Sequence, residues 1–488
     1  METITMNRLI RASFLLFIAM TVGGCSVNPV SGKQEIMLLS VENEKKLGAD
    51  NARQVEMTMG LINRPRATVE YVQTIGKRLS SFSPYQAVDY QFHIANSKVP
   101  NAFALPGGYV YVTRGLLILV NSEDELAGVI GHEIGHVAAR HAVERLTRAA
   151  PIGIVTGITA AAVSIASPTL ATVISGSGNL LNAAILAPYS RNQENEADKI
   201  GQELAARAGW DPEGITNFLK TLEREAKQHE DNENGTSIFA THPATPERIQ
   251  MTSRQARDLS RSKPHPIAKN HRQFLQKLDG LIVGEDASQG VFIKNRFLHP
   301  SMKFAIEFPP GWKTANTPQY VAAVTEQQDA LIVLQLQGKG KDPVYAARSF
   351  LTEKKMASQP VEKLKIKHLP AAQTVLAGNG QEAVITWIAY QDQIYRLAGV
   401  YHVKGKRFRD TIHQTVASFH PLTKHERAKI KQQRLRIFSA RAGEKLSDLL
   451  RRAKSPWDEK TCAIANGLAT EVPLKKGQLI KVAVTEAL

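Results

Sequence analysis

Ser122-Glu123-Asp124-Glu125-Leu126-Ala127-Gly128-Val129-Ile130-Gly131-His132-Glu133-Ile134-Gly135-His136-Val137 is the stretch that decides how this chain is to be read. Ser122 with Glu125 three residues on forms a capping box, which satisfies orphan amides where a helix begins. Leu126, Val129, Ile130 and Val137 then give the helix a buried apolar face, and it is expected to run from Glu123 to about Leu146. Histidines four apart share one helix face, so His132 and His136 can present two nitrogens to one zinc ion. Glu133, one position after His132, can reach a water at that ion without ligating it. There it can take the proton during attack on a peptide carbonyl and hand it to the leaving amine. A bare His-Glu-x-x-His also arises by chance; the cap and the apolar face are what set it on a well-formed buried helix.

A catalytic zinc site has three protein ligands and keeps one position open for water. Glu194, in Ser190-Arg191-Asn192-Gln193-Glu194-Asn195-Glu196-Ala197-Asp198, is the best candidate for the third. Asp198 lies one turn further along the same face, where it would accept the far N–H of a ligand histidine and fix its tautomer. Without context, Glu194 and Asp198 also fit a solvated acidic helix face. Glu196 points elsewhere and reads as surface charge, while His141 falls off the ligand face and reads as structural or surface.

Around this centre the elements follow from periodicity and turn residues. Val41 to about Leu79 is mainly helical, Asp89 to Ala95 alternates as a strand, and Asn101 to Thr113 is a hairpin turning at Pro106-Gly107-Gly108. Ser190 to Ala208 is a second helix stopped by Gly209, and Asp211-Pro212 opens a third. Between Ala149 and Pro188 there is no charged residue. We read this stretch as a partly helical flap beside the active site; a membrane hairpin and an ordinary buried core are the alternatives. Pro151 and Pro168 cut it into pieces shorter than the ~20 residues a span needs. A single crossing is incompatible with His136 and Glu194 sharing one metal.

Several of these motifs together resemble the gluzincin endopeptidases that include the CAAX-prenyl proteases and the HtpX-type heat-shock proteases, above all the periplasmic lipoprotein members. The resemblance covers residues 25 to about 255. It rests on Asn28-Pro29-Val30-Ser31-Gly32, Asn101-Ala102-Phe103-Ala104-Leu105-Pro106-Gly107-Gly108, the His132 to His136 helix, the Ser190 to Asp198 pattern, and Thr241-His242-Pro243 followed by Arg248-Ile249. It implies one zinc per chain, with Glu194 as third ligand and Asp198 behind a ligand histidine. It also implies that Asn101, Ala102 and Phe103 belong to an edge strand that pairs with extended substrate. His242 would lie near the metal, stabilising the oxyanion or filling the open position at rest; otherwise it is a turn histidine made rigid by Pro243.

The compartment is written at the N-terminus. Arg8 and Arg11 precede an uncharged run from Ala12 to Val22, a secretory signal ending in Val22-Gly23-Gly24-Cys25. That ending resembles the lipobox of bacterial lipoproteins, in which Cys25 is lipidated; the alternative is a plain signal peptide with a chance cysteine. Ser26 in place of aspartate implies the periplasmic side of the outer membrane. With Cys25 used by the anchor, Cys462 is left unpaired and no intrachain disulfide is expected. The net charge of +16 would suit nucleic acid, anionic lipid headgroups or anionic cell-wall polymers, and of these no nucleic-acid partner is expected.

Beyond Ala256 the pattern changes. Ser260 to Lys269 reads as a linker, and Lys303–Phe308, Tyr320–Thr325, Ala330–Gln337, Glu382–Ile388 and Gln393–His402 read as strands with helices at Pro343–Ala357 and Arg407–Ala417. The last segment resembles a LysM module, a β-α-α-β unit that would take peptidoglycan or serve structure alone. The fold class is α+β: a mainly helical zincin-type metallopeptidase domain with a small edge-strand sheet, an antiparallel α+β domain, and a LysM-like unit. The boundaries are a signal over 1–25, a tether over 26–40, the peptidase over 41–259, a linker over 260–298, the α+β domain over 299–422, a basic linker over 423–436 and the module over 437–488. The function expected is hydrolysis of unfolded or misassembled envelope proteins; the rivals are a chaperone-like assembly factor and a peptidoglycan tether.

Overall fold

The structure is a computed structural model that describes residues 25–149, 188–229, 242–259 and 262–488, apart from 31, 33, 38, 379, 403–406 and 471. The signal up to residue 24 and the uncharged stretch read as a flap, from residue 150 to 187, lie outside the described residues. Among the described residues, no helix is long and apolar enough to cross a membrane.

The chain opens with an antiparallel pair, β1 (Cys25–Val27) and β2 (Gln34–Ile36), followed by helices α1 (Val41–Met59) and α2 (Arg66–Ser80). Three strands then form a sheet: β3 (Gln91–Ala95), β4 (Ala102–Leu105) and β5 (Tyr109–Thr113), in the order β3-β5-β4. β3 and β5 run parallel, β4 is antiparallel to β5, and β4 is therefore the edge strand. After a short helix α3 (Arg114–Leu119) comes α4 (Glu123–Ala138), which carries His132 and His136 and is buried along nearly all its length. Then follow α5 (His141–Ala149), α6 (Arg191–Ala208), α7 (Gly214–His229) and α8 (Pro246–Asp258).

Glycine brings α4 and α6 together. A Cβ on Gly135 would stand 2.8 Å from the Ala197 carbonyl oxygen, and one on Gly201 would stand 2.6 Å from the His132 amide nitrogen. Only glycine permits this approach of backbone to backbone, and it sets the acidic face of α6 directly against the histidines of α4.

Four expectations are corrected. The capping box is only half formed: Ser122 accepts from the Glu125 amide at 3.1 Å, but the Glu125 carboxylate reaches past the cap to the Asn121 amide at 2.7 Å. The helix does not continue to Leu146. It ends at Ala138 because Arg140 takes a left-handed conformation, φ 55°, held by Glu44 on α1 through an ion pair of 2.9 Å.

Residues 260–298 do not read as a linker in the structure. The Glu123 carboxylate accepts from the Ile267 and Ala268 amides, both at 2.6 Å. Helix α9 (His271–Leu278) buries Phe274, Leu275 and Leu278 in the core around α4. Nor is 423–436 a linker: strand Lys431–Ser439 pairs along its whole length with Leu479–Ala487, and β6 (Ile282–Val283) joins as a third strand.

With helices Leu446–Ala453 and Glu459–Ala465 between its long strands, the C-terminal unit has the β-α-α-β order expected, beginning six residues early. It is seated on the core around α4 through buried Leu435, Ile464 and Ala483. Lys481 is fully buried and donates to the carbonyls of Ile118 and Val120 at 2.7 and 2.6 Å, at the end of α3. Between the two lies an antiparallel seven-stranded sheet, packed with the helices Pro343–Glu353 and Arg407–Ser418. The chain as a whole is α+β.

Candidate metal centre

The two histidines of α4 turn their Nε2 atoms to one point, 3.0 Å apart. From α6, Glu194 brings Oε1 to 3.4 Å from His136 Nε2 and Oε2 to 3.6 Å from His132 Nε2. Donor atoms on a tetrahedral zinc at about 2.0–2.1 Å stand roughly 3.3 Å apart, so these spacings are those of a ligand set. His242, in the turn before α8, places Nδ1 2.9 Å from Glu194 Oε1 and 3.2 Å from His132 Nε2. One ligand atom from each of these four buried residues lies within 4.8 Å of the others.

Hydrogen-bond chemistry fixes what this point wants. His132 Nδ1 lies 2.8 Å from Asp198 Oδ1, and an ionised carboxylate only accepts, so this contact favours a proton on Nδ1, which leaves the Nε2 lone pair inward. His136 Nδ1 faces His141 Nδ1 at 2.9 Å, leaving its own Nε2 inward as well. Two lone pairs and a carboxylate thus converge with no proton of their own to separate them, which a cation resolves. Glu194 and Asp198 are buried beside this point, both paired to the guanidinium of Arg248, with Glu133 buried next to them.

Arg248, on α8, binds Asp198 with two nitrogens at 2.9 and 2.8 Å and reaches Glu194 Oε2 at 2.7 Å. Burial works against the charge of Asp198, but Arg248 and His132 outweigh it and hold the carboxyl below its usual range. Glu194 is likewise held low, with burial opposed by His242, His136 and His132. Glu133 differs: burial raises its pKa, with His242 and His132 offsetting only part. Its Oε2 meets no hydrogen-bond partner although it is buried, and its Oε1 lies 3.7 Å from His242 Nε2. A carboxylate with raised basicity and one free oxygen is equipped to receive a proton. Burial would keep His242 neutral, yet Glu194 and Glu133 raise its pKa. Tyr189 stacks on the His136 ring, with centroids 4.0 Å apart and planes at 21°.

Of the residues singled out from sequence, His132, Glu133, His136, Glu194, Asp198 and His242 come together here. Asn101, Ala102 and Phe103 do not reach the centre: the Asn101 amide donates to Thr113 Oγ1, and Phe103 stacks on Tyr111 on the far side of the sheet. The hairpin meets His136 slightly later, at Ala104, Leu105 and Pro106, which with Tyr189 and Val143 line a cavity of about 10 Å³. His141 lies outside the ligand cluster and is structural rather than surface, buried beside His136; Glu196, partly exposed, bonds it at 3.2 Å. The role of Arg248 is not readable from sequence, since nothing local to it signals a partner 50 residues upstream.

Residues 66–256 match peptidase family M48. The chain is 32% identical over 225 residues to the mitochondrial metalloendopeptidase OMA1 of Schizosaccharomyces pombe, covering 46% of this chain and 64% of that protein. It is 30% identical over 274 residues to the beta-barrel assembly-enhancing protease of Escherichia coli K12, covering 54% and 55%. A protein of the same name from Yersinia pestis is 32% identical over 244 residues, 49% of each. The chain thus spans between about half and just under two thirds of these relatives' length.

Proposed function

We propose, for a chain whose residues 66–256 match peptidase family M48, that it is a zinc-dependent endopeptidase acting on unfolded or misassembled envelope proteins. One observation carries this reading: the inward lone pairs of His132 and His136 meet the Glu194 carboxylate beside the unpartnered oxygen of Glu133. Zinc, held by His132, His136 and Glu194, would supply a Lewis acid that polarises the scissile carbonyl and the attacking water. Glu133 takes the proton from that water and returns it to the leaving amine. Asp198 orients His132, and Arg248 orients Asp198 and the outer oxygen of Glu194. Extended substrate adds to the edge strand β4, with the hairpin from Asn101, Ala102 and Phe103 onward as its template.

His242 has two roles open to it. Its distance from Glu133 suits a donor to the oxyanion, and its Nδ1 beside His132 Nε2 suits a fourth ligand that closes the site at rest. His242→Phe distinguishes them: a lower rate with zinc intact assigns the oxyanion, whereas a higher basal rate assigns the gate.

The relatives named beta-barrel assembly-enhancing protease support an envelope substrate. The lipobox supports lipid anchoring at Cys25 on the periplasmic side of the outer membrane, which loss of membrane association in Cys25→Ser would test. The LysM-like unit, with peptidoglycan as its partner, is tested by co-sedimentation of the full chain with purified sacculi. For the central reading, metal analysis and casein cleavage should give about one zinc per chain and activity, both lost in Glu194→Ala. Stoichiometric zinc with no cleavage would favour a holdase on the same fold.

A further inference from the structure

His141 reaches the metal centre only because the helix that carries the ligands is broken. In a continuous helix it would lie about 140° around the axis from His136, on another face. Arg140 instead adopts φ 55°, and the chain reverses so that His141 returns beside His136. A non-glycine residue in the left-handed region costs free energy, and such residues persist where their surroundings over-determine them. Here the Arg140 guanidinium is buried against Glu44 at 2.9 Å and donates to the Leu39 carbonyl at 2.9 Å, tying the turn to α1 and to the segment before it. The outcome of that construction is one contact chain: His136 Nδ1 to His141 Nδ1 at 2.9 Å, and His141 Nε2 to Glu196 Oε2 at 3.2 Å.

The direction of this chain is set from its far end. Glu196 as a carboxylate only accepts, so His141 donates from Nε2 and keeps a lone pair on Nδ1. That lone pair accepts from His136 Nδ1–H, and the remaining lone pair of His136, on Nε2, is directed at the other ligands. We propose that His141 and Glu196 are positioning residues for His136, fixing its tautomer and ring orientation for zinc as Asp198 does for His132. A single helix, α6, would then supply the third ligand, Glu194, and the carboxylates behind both histidines, Asp198 and Glu196. His141 is 2% exposed, whereas the Glu196 side chain is 34% exposed, so the relay has one end buried and one end at the surface.

The proposal rests on the zinc-peptidase reading, and the test is zinc affinity of the full chain, measured by competition with a chromogenic chelator. His141→Phe, which fills the space without accepting a hydrogen bond, is expected to weaken zinc binding about 10–100-fold. Glu196→Leu should weaken it in the same direction and, on a partly exposed helix face, keeps the test open if His141→Phe fails to fold. His141→Gln, whose amide oxygen can accept from His136, should recover most of the loss, which a purely space-filling role would not predict. Parent-like affinity in both His141→Phe and Glu196→Leu would overturn the proposal alone. A parent chain that binds no zinc would overturn the peptidase reading and the proposal together.

Discussion

Between residues 299 and 422 the buried polar side chains, among the described residues, are Thr325, Thr374, Thr386 and Thr415; around the helix of His132 and His136 they include Glu44, Glu133, Arg140, Glu194, Asp198 and Arg248, each 6% exposed or less. The first core is held by apolar burial of such residues as Phe304, Ile332, Leu397, Ile412 and Phe419, and its stability scales with the area removed from water. The second sets charge against charge in a medium where an unpaired ion costs several kcal/mol. Removing a methyl group from the first core weakens it by degrees, whereas removing one charge from the second strands its partners. Buried charge that apolar residues of equal volume would replace at no loss of stability is retained where chemistry needs it, and here it surrounds one point.

The largest effect expected separates chemistry from stability altogether. Glu133→Gln keeps shape and burial but removes the base, so kcat should fall by about 10²–10⁴-fold with zinc retained and thermal unfolding of the chain unchanged. Steady-state cleavage, metal analysis and calorimetry on one preparation check this.

The comparison itself is sharpened by a matched pair. Arg248→Leu removes the guanidinium from buried Asp198 and Glu194, which keep only their histidine contacts, and should cost about 3–5 kcal/mol, with weaker zinc retention. Leu397→Ala should cost the other core about 2–5 kcal/mol by leaving a cavity, with zinc content and rate per folded molecule unchanged. If Leu397→Ala also lowers the specific rate, the two regions are not the independent cores described.

A smaller effect lies in the apolar core's response to acid. Burial lowers the pKa of His299 from 6.5 to about 4. Because the folded value is the lower one, the unfolded chain binds the extra proton, so this group favours folding above pH 6.5 and loses that contribution as pH falls towards 4. His299→Gln keeps an acceptor for the Met302 amide and should remove about 1–3 kcal/mol of the acid-induced loss, read from denaturant midpoints at successive pH values.

What was legible in the sequence was whatever a single helix could display. His132 and His136 share a face by spacing alone, Glu133 follows from that, and Glu194 with Asp198 shows the same one-turn periodicity on α6. Arg248 and the His141–Glu196 pair were not legible, because each acts across a tertiary contact. The left-handed Arg140 that redirects His141 depends on Glu44, 96 residues away, and arginine carries no local signal for that conformation. The supposed linkers failed for a related reason. Pro264 and Pro266 mark an irregular stretch, but the Glu123 carboxylate gathers the amides that follow it into the core. The basic run before Phe438 reads as a linker in sequence because its partner lies at the far end of the chain: Arg436 pairs with Glu486 at 2.6 Å across the two strands. Strands Glu362–Ile366 and Leu369–Gly378 escaped notice since the first is mostly exposed and lysine-bearing and the second contains Pro370.

The central claim is that His132, His136 and Glu194 hold one zinc ion beside Glu133, and diffraction from crystals of the zinc-loaded chain at the zinc absorption edge tests it most directly. A single anomalous peak about 2.0–2.2 Å from His132 Nε2, His136 Nε2 and a Glu194 oxygen is the result predicted. No peak at that point, or a metal bound elsewhere with these three side chains apart, would contradict it.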